Sequence, residues 1–151
     1  MPVPVRLVSF VAPRSLIGLG AAAVAVAALS GCGGSAILSG DNAVVRVSER
    51  DFHISAPKSV SAGDVTLRVQ NRGPDNHELL VIRADRGLPL RSDGLTVNEE
   101  ALRHAEVGAL EPGEPGIARE LKLHLAPGRY MLLCNMEGHY LGGMHALLVV
   151  R

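Results

Sequence analysis

Three residues near the end of the chain have side chains that bind soft metal ions, and they stand close together. Cys134, His139 and Met144 follow the spacing Cys-x4-His-x4-Met, and the runs on both sides of them are apolar. A thiolate, an imidazole and a thioether are together typical ligands of copper. The spacing therefore predicts a metal-binding loop between two strands.

A copper site of this kind needs a second imidazole. Two His ligands and one Cys in a trigonal plane, with a distant axial Met, form a blue-copper electron-transfer site. His77 is the candidate for the second His, because it follows a turn-rich segment and begins an apolar run. We therefore predict one copper ion per chain, bound by His77, Cys134, His139 and Met144.

The first part of the chain predicts export. Arginines precede an apolar run at residues 15–29, and small residues follow it, which is typical of a signal peptide. The stretch Leu29-Ser-Gly-Cys32 resembles a bacterial lipobox, in which the Cys becomes the lipidated first residue. We predict a signal peptide at residues 1–31, lipidation of Cys32 and a flexible tether at residues 32–42. An ordinary cleaved signal peptide and an uncleaved anchor are the alternatives.

A lipid anchor would hold the domain on the extracytoplasmic face of a bacterial membrane, in the periplasm or at the cell surface. The chain has two Cys residues, so lipidation of Cys32 would leave Cys134 without a disulfide partner. An unpaired thiol in an oxidising compartment needs a reason to stay free. Metal ligation supplies that reason.

The composition argues against nucleic-acid binding. The chain of 151 residues has a formal net charge of zero, 3% aromatic residues and no Trp. It therefore lacks an excess of basic charge and the aromatic side chains on which single-stranded bases stack. We expect no nucleic-acid partner.

Short strands separated by Gly and Pro turns predict an all-β domain over residues 43–151. Val65, Leu67 and Val69 alternate with polar residues, as in a strand with one buried face. The other predicted strands lie at residues 43–54, 77–83, 121–125, 129–134 and 145–150. Together they fit a Greek-key antiparallel β-sandwich.

The segment at residues 84–116 is predicted to be an insertion with one short helix. Thr96-Val-Asn-Glu99 matches a capping box, so we expect a helix that begins there and ends near Ala105. Its charged residues are interpreted as a solvated face. The alternative is a docking surface for a basic partner, formed by Glu99, Glu100 and Glu106.

These ligands and strands resemble the type 1 blue copper proteins, the cupredoxins, and especially the plastocyanin, auracyanin and sulfocyanin group. Gly128-x-Tyr130-x3-Cys134 resembles the strand that leads to the copper Cys in plastocyanins, and the loop spacings are similar to those of auracyanins. The resemblance covers Val44 to Val150. It implies that His77 lies on a loop entering an earlier strand, with the other three ligands on the last loop.

The resemblance implies a monomeric carrier that passes single electrons between redox partners and has no small-molecule substrate. In this family the His of the last loop is partly exposed in an apolar patch, and electrons leave through its edge. That His would be His139, with Met136, Tyr140 and Leu141 beside it. The partners would be redox proteins, such as a cytochrome or a membrane oxidoreductase.

One position departs from the family pattern. Plastocyanins and azurins commonly have Asn after the first His ligand, where its side chain ties the two ligand loops together, and this chain has Glu78 there. Asn135 directly follows the predicted Cys ligand. Our hypothesis is that Glu78 and Asn135 form a hydrogen bond in place of that tie, behind the ligands.

Two other functions stay open beside the electron carrier. A copper chaperone or storage protein would usually show exposed Met-rich or His-rich tracts, and the Met residues after Met1 are confined to positions 131, 136 and 144. The second open function is that of a metal-free interaction domain, since a fold alone does not determine a function. An enzyme is not expected, because the chain has no His-x-His pair of the kind that multicopper oxidases often use.

Overall fold

The computed structural model describes residues 42–84 and 87–151. The predicted signal peptide, the predicted lipidation site Cys32 and all but the last residue of the predicted tether lie outside the described residues. Within the described ranges, no helix is long and apolar enough to cross a membrane.

The described chain is built mainly from short strands. In chain order they are β1 (Ala43–Arg50), β2 (His53–Ser55), β3 (Ser59–Val60), β4 (Gly63–Asn71), β5 (His77–Arg83), β6 (Glu106–Gly113), β7 (Ala118–Leu125), β8 (Gly128–Leu133) and β9 (His145–Val150). A single helical turn, α1 (Glu99–Leu102), lies between β5 and β6. The prediction of an all-β domain with one short helix is confirmed.

The strands form two sheets, with the orders β2-β1-β4-β7 and β3-β9-β8-β5-β6. Most neighbouring strands are antiparallel, but β1 pairs with β4 and β3 pairs with β9 in parallel. Parallel neighbours need a long connection, and the connection from β1 to β4 passes through β3 of the other sheet. Both sheets are therefore mixed, although the sequence predicted antiparallel pairing.

The main apolar core lies between the two sheets. Strands β1 and β4 bury alternate residues, such as Val45 and Leu67, as the alternation of polar and apolar residues predicts. The five-stranded sheet contributes Leu79, Leu132 and Leu148 to the same cluster. Each such side chain stabilises the fold by about 1.5–3 kcal/mol through its burial.

The 84–116 segment differs from its predicted structure. The helix ends at Leu102, and its N-cap is Asn98, whose side chain accepts a hydrogen bond from the Ala101 N–H at 3.2 Å. Thr96 is therefore not the cap. The residues after the helix form β6, which pairs with β5 at the edge of the sheet. An edge strand tolerates Pro112, because no strand pairs with its solvent side and a missing N–H there removes no hydrogen bond between strands.

The insertion covers the outer face of the five-stranded sheet. Strand β5 is buried on both faces, with Leu79 in the main core and Leu80 in a second, smaller cluster. Val97 from the insertion and Leu133 from β8 complete that second cluster. The insertion is thus packed directly behind the strand that precedes Cys134.

Candidate metal centre

The sheet order brings the predicted ligands to one end of the sandwich. His77 is the first residue of β5, Cys134 directly follows β8, and Met144 directly precedes β9. Strands β9, β8 and β5 are consecutive neighbours, and both pairs are antiparallel. The start of β5, the end of β8 and the start of β9 therefore lie side by side.

Three of the predicted ligands form a buried cluster. Ligand atoms of His77, Cys134 and His139 all lie within 4.8 Å of one another. The Cys134 Sγ lies 3.5 Å from the His139 Nδ1. This combination of one sulfur and two imidazole nitrogens suits copper or zinc, and a nearby thioether favours copper.

Met144 belongs to the same loop and is fully buried in the same apolar cluster as Cys134. The loop is closed by backbone hydrogen bonds. The Cys134 N–H donates to the Met144 carbonyl at 3.1 Å, and the Met144 N–H donates to the His139 carbonyl at 3.0 Å. The loop backbone therefore holds Met144 close to both residues.

The His77 ring is fully buried, and neither of its nitrogens makes a hydrogen bond within the described part of the chain. The Asp51 Oδ1 lies 3.0 Å from the His77 Nε2, and its negative charge favours the protonated ring. Asp51 therefore acts on the ring mainly through its charge. A buried polar atom without a partner is costly, and a metal ion bound at Nδ1 would satisfy that atom.

Burial shifts the ionisation of two residues of the cluster. It raises the pKa of the Cys134 thiol to about 11. Burial, followed by the charge of His139, lowers the pKa of His77. Without metal at neutral pH, Cys134 is a thiol and His77 is neutral. Metals bind the thiolate, so metal uptake would displace a proton from Cys134.

Glu78 and Asn135 are in contact, but through the Asn135 backbone. The Glu78 Oε1 accepts a hydrogen bond from the Asn135 N–H at 3.0 Å. This bond joins the start of β5 to the loop after β8. Burial, followed by the charge of Glu99, raises the pKa of Glu78, while the hydrogen bond from Asn135 opposes that shift.

The side chain of Asn135 binds the insertion. Its Oδ1 accepts a hydrogen bond from the Val97 N–H at 2.5 Å, and its Nδ2 donates to the Val97 carbonyl at 3.0 Å. The same Nδ2 donates to the Glu99 Oε1 at 2.6 Å. The 84–116 insertion is thus fastened to the residue next to Cys134.

Two residues beside the cluster were missed by the sequence analysis. Residues 43–54 were predicted as one strand, which is wrong, because the chain turns at Asp51 and Phe52 between β1 and β2. That turn brings Asp51 to His77 and the Phe52 ring to His139, with 5.5 Å between the ring centroids. An Asp within a strand-like run was the only local signal of a turn.

The surroundings of His139 also differ from what the resemblance implied. The residue is only 8% exposed, whereas Leu141 is 51% exposed. Met136 and Tyr140 are half-buried. The accessible surface near His139 therefore belongs mainly to its neighbours.

The fold resembles solved blue copper proteins. Auracyanin from the photosynthetic bacterium Roseiflexus castenholzii aligns with a TM-score of 0.59 at 20% identity, covering 75% of this chain and 99% of that one. Auracyanin A, a blue copper protein from Chloroflexus aurantiacus, aligns with a TM-score of 0.56 at 19% identity, covering 74% and 100%. Rusticyanin from Thiobacillus ferrooxidans aligns with a TM-score of 0.52 at 13% identity, covering 74% and 79%.

Sequence comparison alone finds no matching protein family and no matching curated protein. At the identities of the structural matches, the likeness establishes the fold. The chain therefore has the fold of the cupredoxins, with a buried His-Cys-His cluster at one end of its sandwich.

Proposed function

We propose that this protein binds one copper ion as a type 1 centre and carries single electrons between redox proteins. The observation that supports this most strongly is the buried cluster of His77, Cys134 and His139, whose ligand atoms lie within 4.8 Å of one another. Met144, the fourth ligand in the proposal, is buried on the same loop. The fold shared with auracyanins adds support.

The chemistry of the residues fits this role. Copper supplies a one-electron cycle between Cu(II) and Cu(I). The Cys134 thiolate and the two imidazoles can bind both oxidation states, and a weak thioether contact from Met144 would favour Cu(I). Because the ligands are buried and three of them adjoin strand ends, the site would change little on electron transfer. A small reorganisation favours rapid transfer.

The same burial favours a carrier over an enzyme. His139, the most exposed residue of the cluster, is 8% exposed, and Cys134 is fully buried. Such a site suits transfer through the protein to a docked partner better than direct binding of a substrate. A copper chaperone would need rapid ligand exchange, and the buried site is poorly suited to it.

Spectroscopy of the copper-loaded protein tests the proposal. We expect intense blue absorption from thiolate-to-copper charge transfer, with narrow copper hyperfine splitting in electron spin resonance. Cys134→Ser should abolish both signals, whereas Cys32→Ser, a matched change at the other cysteine, should leave them intact. A pale tetragonal copper spectrum, or no bound copper, would overturn the electron-carrier proposal.

We further propose that the protein is exported and anchored by a lipid on Cys32. The support is the sequence of residues 1–32, with its apolar run and lipobox-like end. In bacterial cells fed labelled palmitate, the protein should become labelled and fractionate with membranes. Cys32→Ser should lose the label, and a labelled Cys32→Ser variant would contradict the assignment.

A further inference from the structure

The end of the sandwich opposite the metal cluster carries a row of cations. Four neighbouring strands of the five-stranded sheet, in the order β3-β9-β8-β5, each have one exposed cation at or near this end. Lys58 directly precedes β3, Arg151 directly follows β9, Arg129 is the second residue of β8 and Arg83 is the last residue of β5. Neighbouring strands lie about 4.8 Å apart, so the row spans about 15 Å. We call these four residues the basic row.

The described chain begins at the same end. The Ala62 N–H, just before β4, donates to the Arg151 carbonyl at 2.7 Å, so the two sheets meet here. Strand β1 also begins at this end, because Ala43 pairs with Val65 near the start of β4. The chain therefore enters the domain on the side of the basic row, and the metal cluster lies at the other end.

An apolar groove lies beside two members of the basic row. Leu147 and Val149 of β9 line it together with Lys58 and Arg151. Leu147 is 36% exposed. Apolar side chains flanked by cations are typical of surfaces that lie in the interface of a membrane. This side of the domain thus offers contacts to both the phosphate and the apolar part of a phospholipid.

Acidic side chains do not cancel the basic row. The described acids near this end are Asp64 and Glu106. Asp64 lies on the four-stranded sheet, where its Oδ1 is 2.7 Å from the His124 Nδ1. Glu106 begins β6, which lies beyond β5 at the edge of the sheet. None of the ion pairs within the described chain includes a member of the basic row.

The metal end has the opposite charge. Residues 50–52, 71–78 and 134–145 lie at that end of the sandwich. They contain more acids than cations, namely Asp51, Asp75, Glu78 and Glu137 against Arg50 and Arg72. The charge is therefore separated along the sandwich. An anionic surface would attract the basic row and repel the metal end.

The proposed lipid anchor would act from the side of the basic row. Cys32 precedes Asn42 by ten residues, and a chain of that length spans at most about 35 Å. A domain anchored at Cys32 would stay near the membrane, with the basic row on the side where the chain enters. The high local concentration would make weak contacts effective.

We propose that the basic row and the apolar groove bind a membrane surface that contains anionic phospholipids, and that this contact turns the metal end away from the membrane. For its proximity to a membrane, the inference rests on the proposed lipid anchor. Headgroup phosphates bind the four cations, and Leu147 and Val149 contact the apolar groups beneath them. The metal end then faces the aqueous phase, where a soluble partner reaches it.

The contact is weak and reversible. One Lys or Arg close to an anionic membrane raises the affinity about fivefold. The basic row therefore favours an anionic over a neutral membrane by roughly several hundredfold. The attraction extends only about 8 Å at physiological ionic strength, so cations elsewhere on the domain contribute little.

Vesicle sedimentation tests the proposal with residues 33–151, a chain without the lipidation site. Both sheets and both apolar clusters lie within residues 42–151, so this chain keeps the parts that hold the domain together. It should bind vesicles made of equal parts of phosphatidylcholine and phosphatidylglycerol, but not vesicles of phosphatidylcholine alone. Binding should weaken as the salt concentration rises.

Replacement of three members of the basic row should remove most of this binding. Lys58→Gln, Arg129→Gln and Arg151→Gln in one variant should lower the affinity for the mixed vesicles about a hundredfold, from a fivefold loss at each position. Arg83 is kept, because its guanidinium donates to the Pro127 carbonyl at 3.0 Å.

The matched control loses the same charge elsewhere. It combines Arg46→Gln, Arg50→Gln and Arg72→Gln, three exposed positions outside the basic row, and should bind like the wild type. Equal losses in the two triple variants would mean that only net charge matters, which would overturn the proposal. Failure of the wild type to bind the mixed vesicles would also overturn it, and would favour an acidic protein as the partner of the basic row.

The orientation can be measured separately, because the sequence contains no Trp. Ala126→Trp places a single exposed fluorophore at the end of the basic row, and Leu141→Trp places one at the metal end. On mixed vesicles with a nitroxide quencher on some headgroups, the metal-free Ala126→Trp variant should be quenched and the Leu141→Trp variant should not. Equal quenching would overturn the proposed orientation.

These tests need neither copper nor lipidation. If copper gave no blue absorption, or Cys32 took up no label, the proposed carrier or its anchor would fail while vesicle binding persisted. If both signals were present and the wild type did not bind the mixed vesicles, only the proposal of a membrane-binding surface would fail.

Discussion

Asp51 places a carboxylate oxygen 3.0 Å from the Nε2 of the fully buried His77 ring. The negative charge of a carboxylate beside a His ligand stabilises positive charge on the ring and on a metal bound to it. This effect favours Cu(II), the more highly charged ion. Asp51→Asn should therefore weaken Cu(II) binding about tenfold or more and raise the reduction potential. A tenfold loss confined to Cu(II) corresponds to about 59 mV, which a redox titration resolves.

Asp64→Asn is the matched control for this change. Asp64 also faces an imidazole, with its Oδ1 2.7 Å from the His124 Nδ1, but both side chains are exposed and lie outside the cluster. The reduction potential of the Asp64→Asn variant should equal that of the wild type. Equal potentials for Asp51→Asn and wild type would show that the carboxylate does not influence the metal.

For individual residues, the sequence predicted the metal ligands but not the residues that contact them. His77, Cys134 and His139 could be grouped because their chemistry is rare and their spacing is characteristic. Asp51 and Phe52 are ordinary residue types, distant in sequence from the histidines they face. Only the turn after β1 brings them there, and a one-residue shift in that turn would point them elsewhere.

Among the elements, the 84–116 insertion depends on Asn135 for its attachment. Asn135→Ala would leave the buried Val97 N–H without its acceptor, at a cost of about 1–3 kcal/mol. We expect the free energy of unfolding to fall by that amount in urea titrations. Amide hydrogen exchange of residues 87–102 should also accelerate more than exchange in the two sheets.

Asn98→Ala separates attachment from helix formation. It removes the cap of α1, which typically costs about 1 kcal/mol, but it leaves Val97 bound to Asn135. Faster exchange should then be confined to α1. If Asn135→Ala gave the same narrow pattern, the side-chain bonds of Asn135 would not be what fastens the insertion.

The elements differ in how well their sequences predict them. The bounds of β5 and β9 were predicted as found, because each strand contains an uninterrupted run of apolar residues. Strand β6 was missed because Gly108, Pro112 and Gly113 interrupt its pattern. Gly108 has a packing role, since a Cβ there would lie 2.6 Å from the Leu123 Cδ2 of β7. The need for glycine at this position comes from the facing sheet, so it produces no periodic pattern in the sequence of β6.

At the scale of the whole molecule, the buried ion pair of Arg119 and Glu49 lies at the metal end, where Arg119 also bonds to the facing sheet. The Arg119 Nη2 lies 2.8 Å from the Glu49 Oε2 and also donates to the His77 carbonyl at 3.0 Å. Glu49 and Arg119 belong to the four-stranded sheet, and His77 belongs to the five-stranded one. Arg119 also donates to the Glu111 carbonyl of β6. The pair therefore closes the sandwich directly behind the first His of the cluster.

This pair should make the stability of the metal-free protein depend on pH. Burial, only partly opposed by Arg119, raises the pKa of Glu49 from 4.5 to about 7. The folded protein then holds this proton more tightly than the unfolded chain, so stability falls as pH rises from 4.5 to 7 and is level above that range. The shift corresponds to a loss of about 3 kcal/mol.

Glu49→Gln isolates this contribution, because Gln keeps an acceptor for Arg119 and does not titrate. Urea unfolding of both metal-free proteins at several values of pH between 4.5 and 8 gives the difference in their free energies of unfolding. All other titrating groups are common to both, so they largely cancel in that difference. The wild type should lose stability relative to Glu49→Gln up to about pH 7. Parallel profiles would mean that Arg119 keeps Glu49 ionised throughout this range of pH.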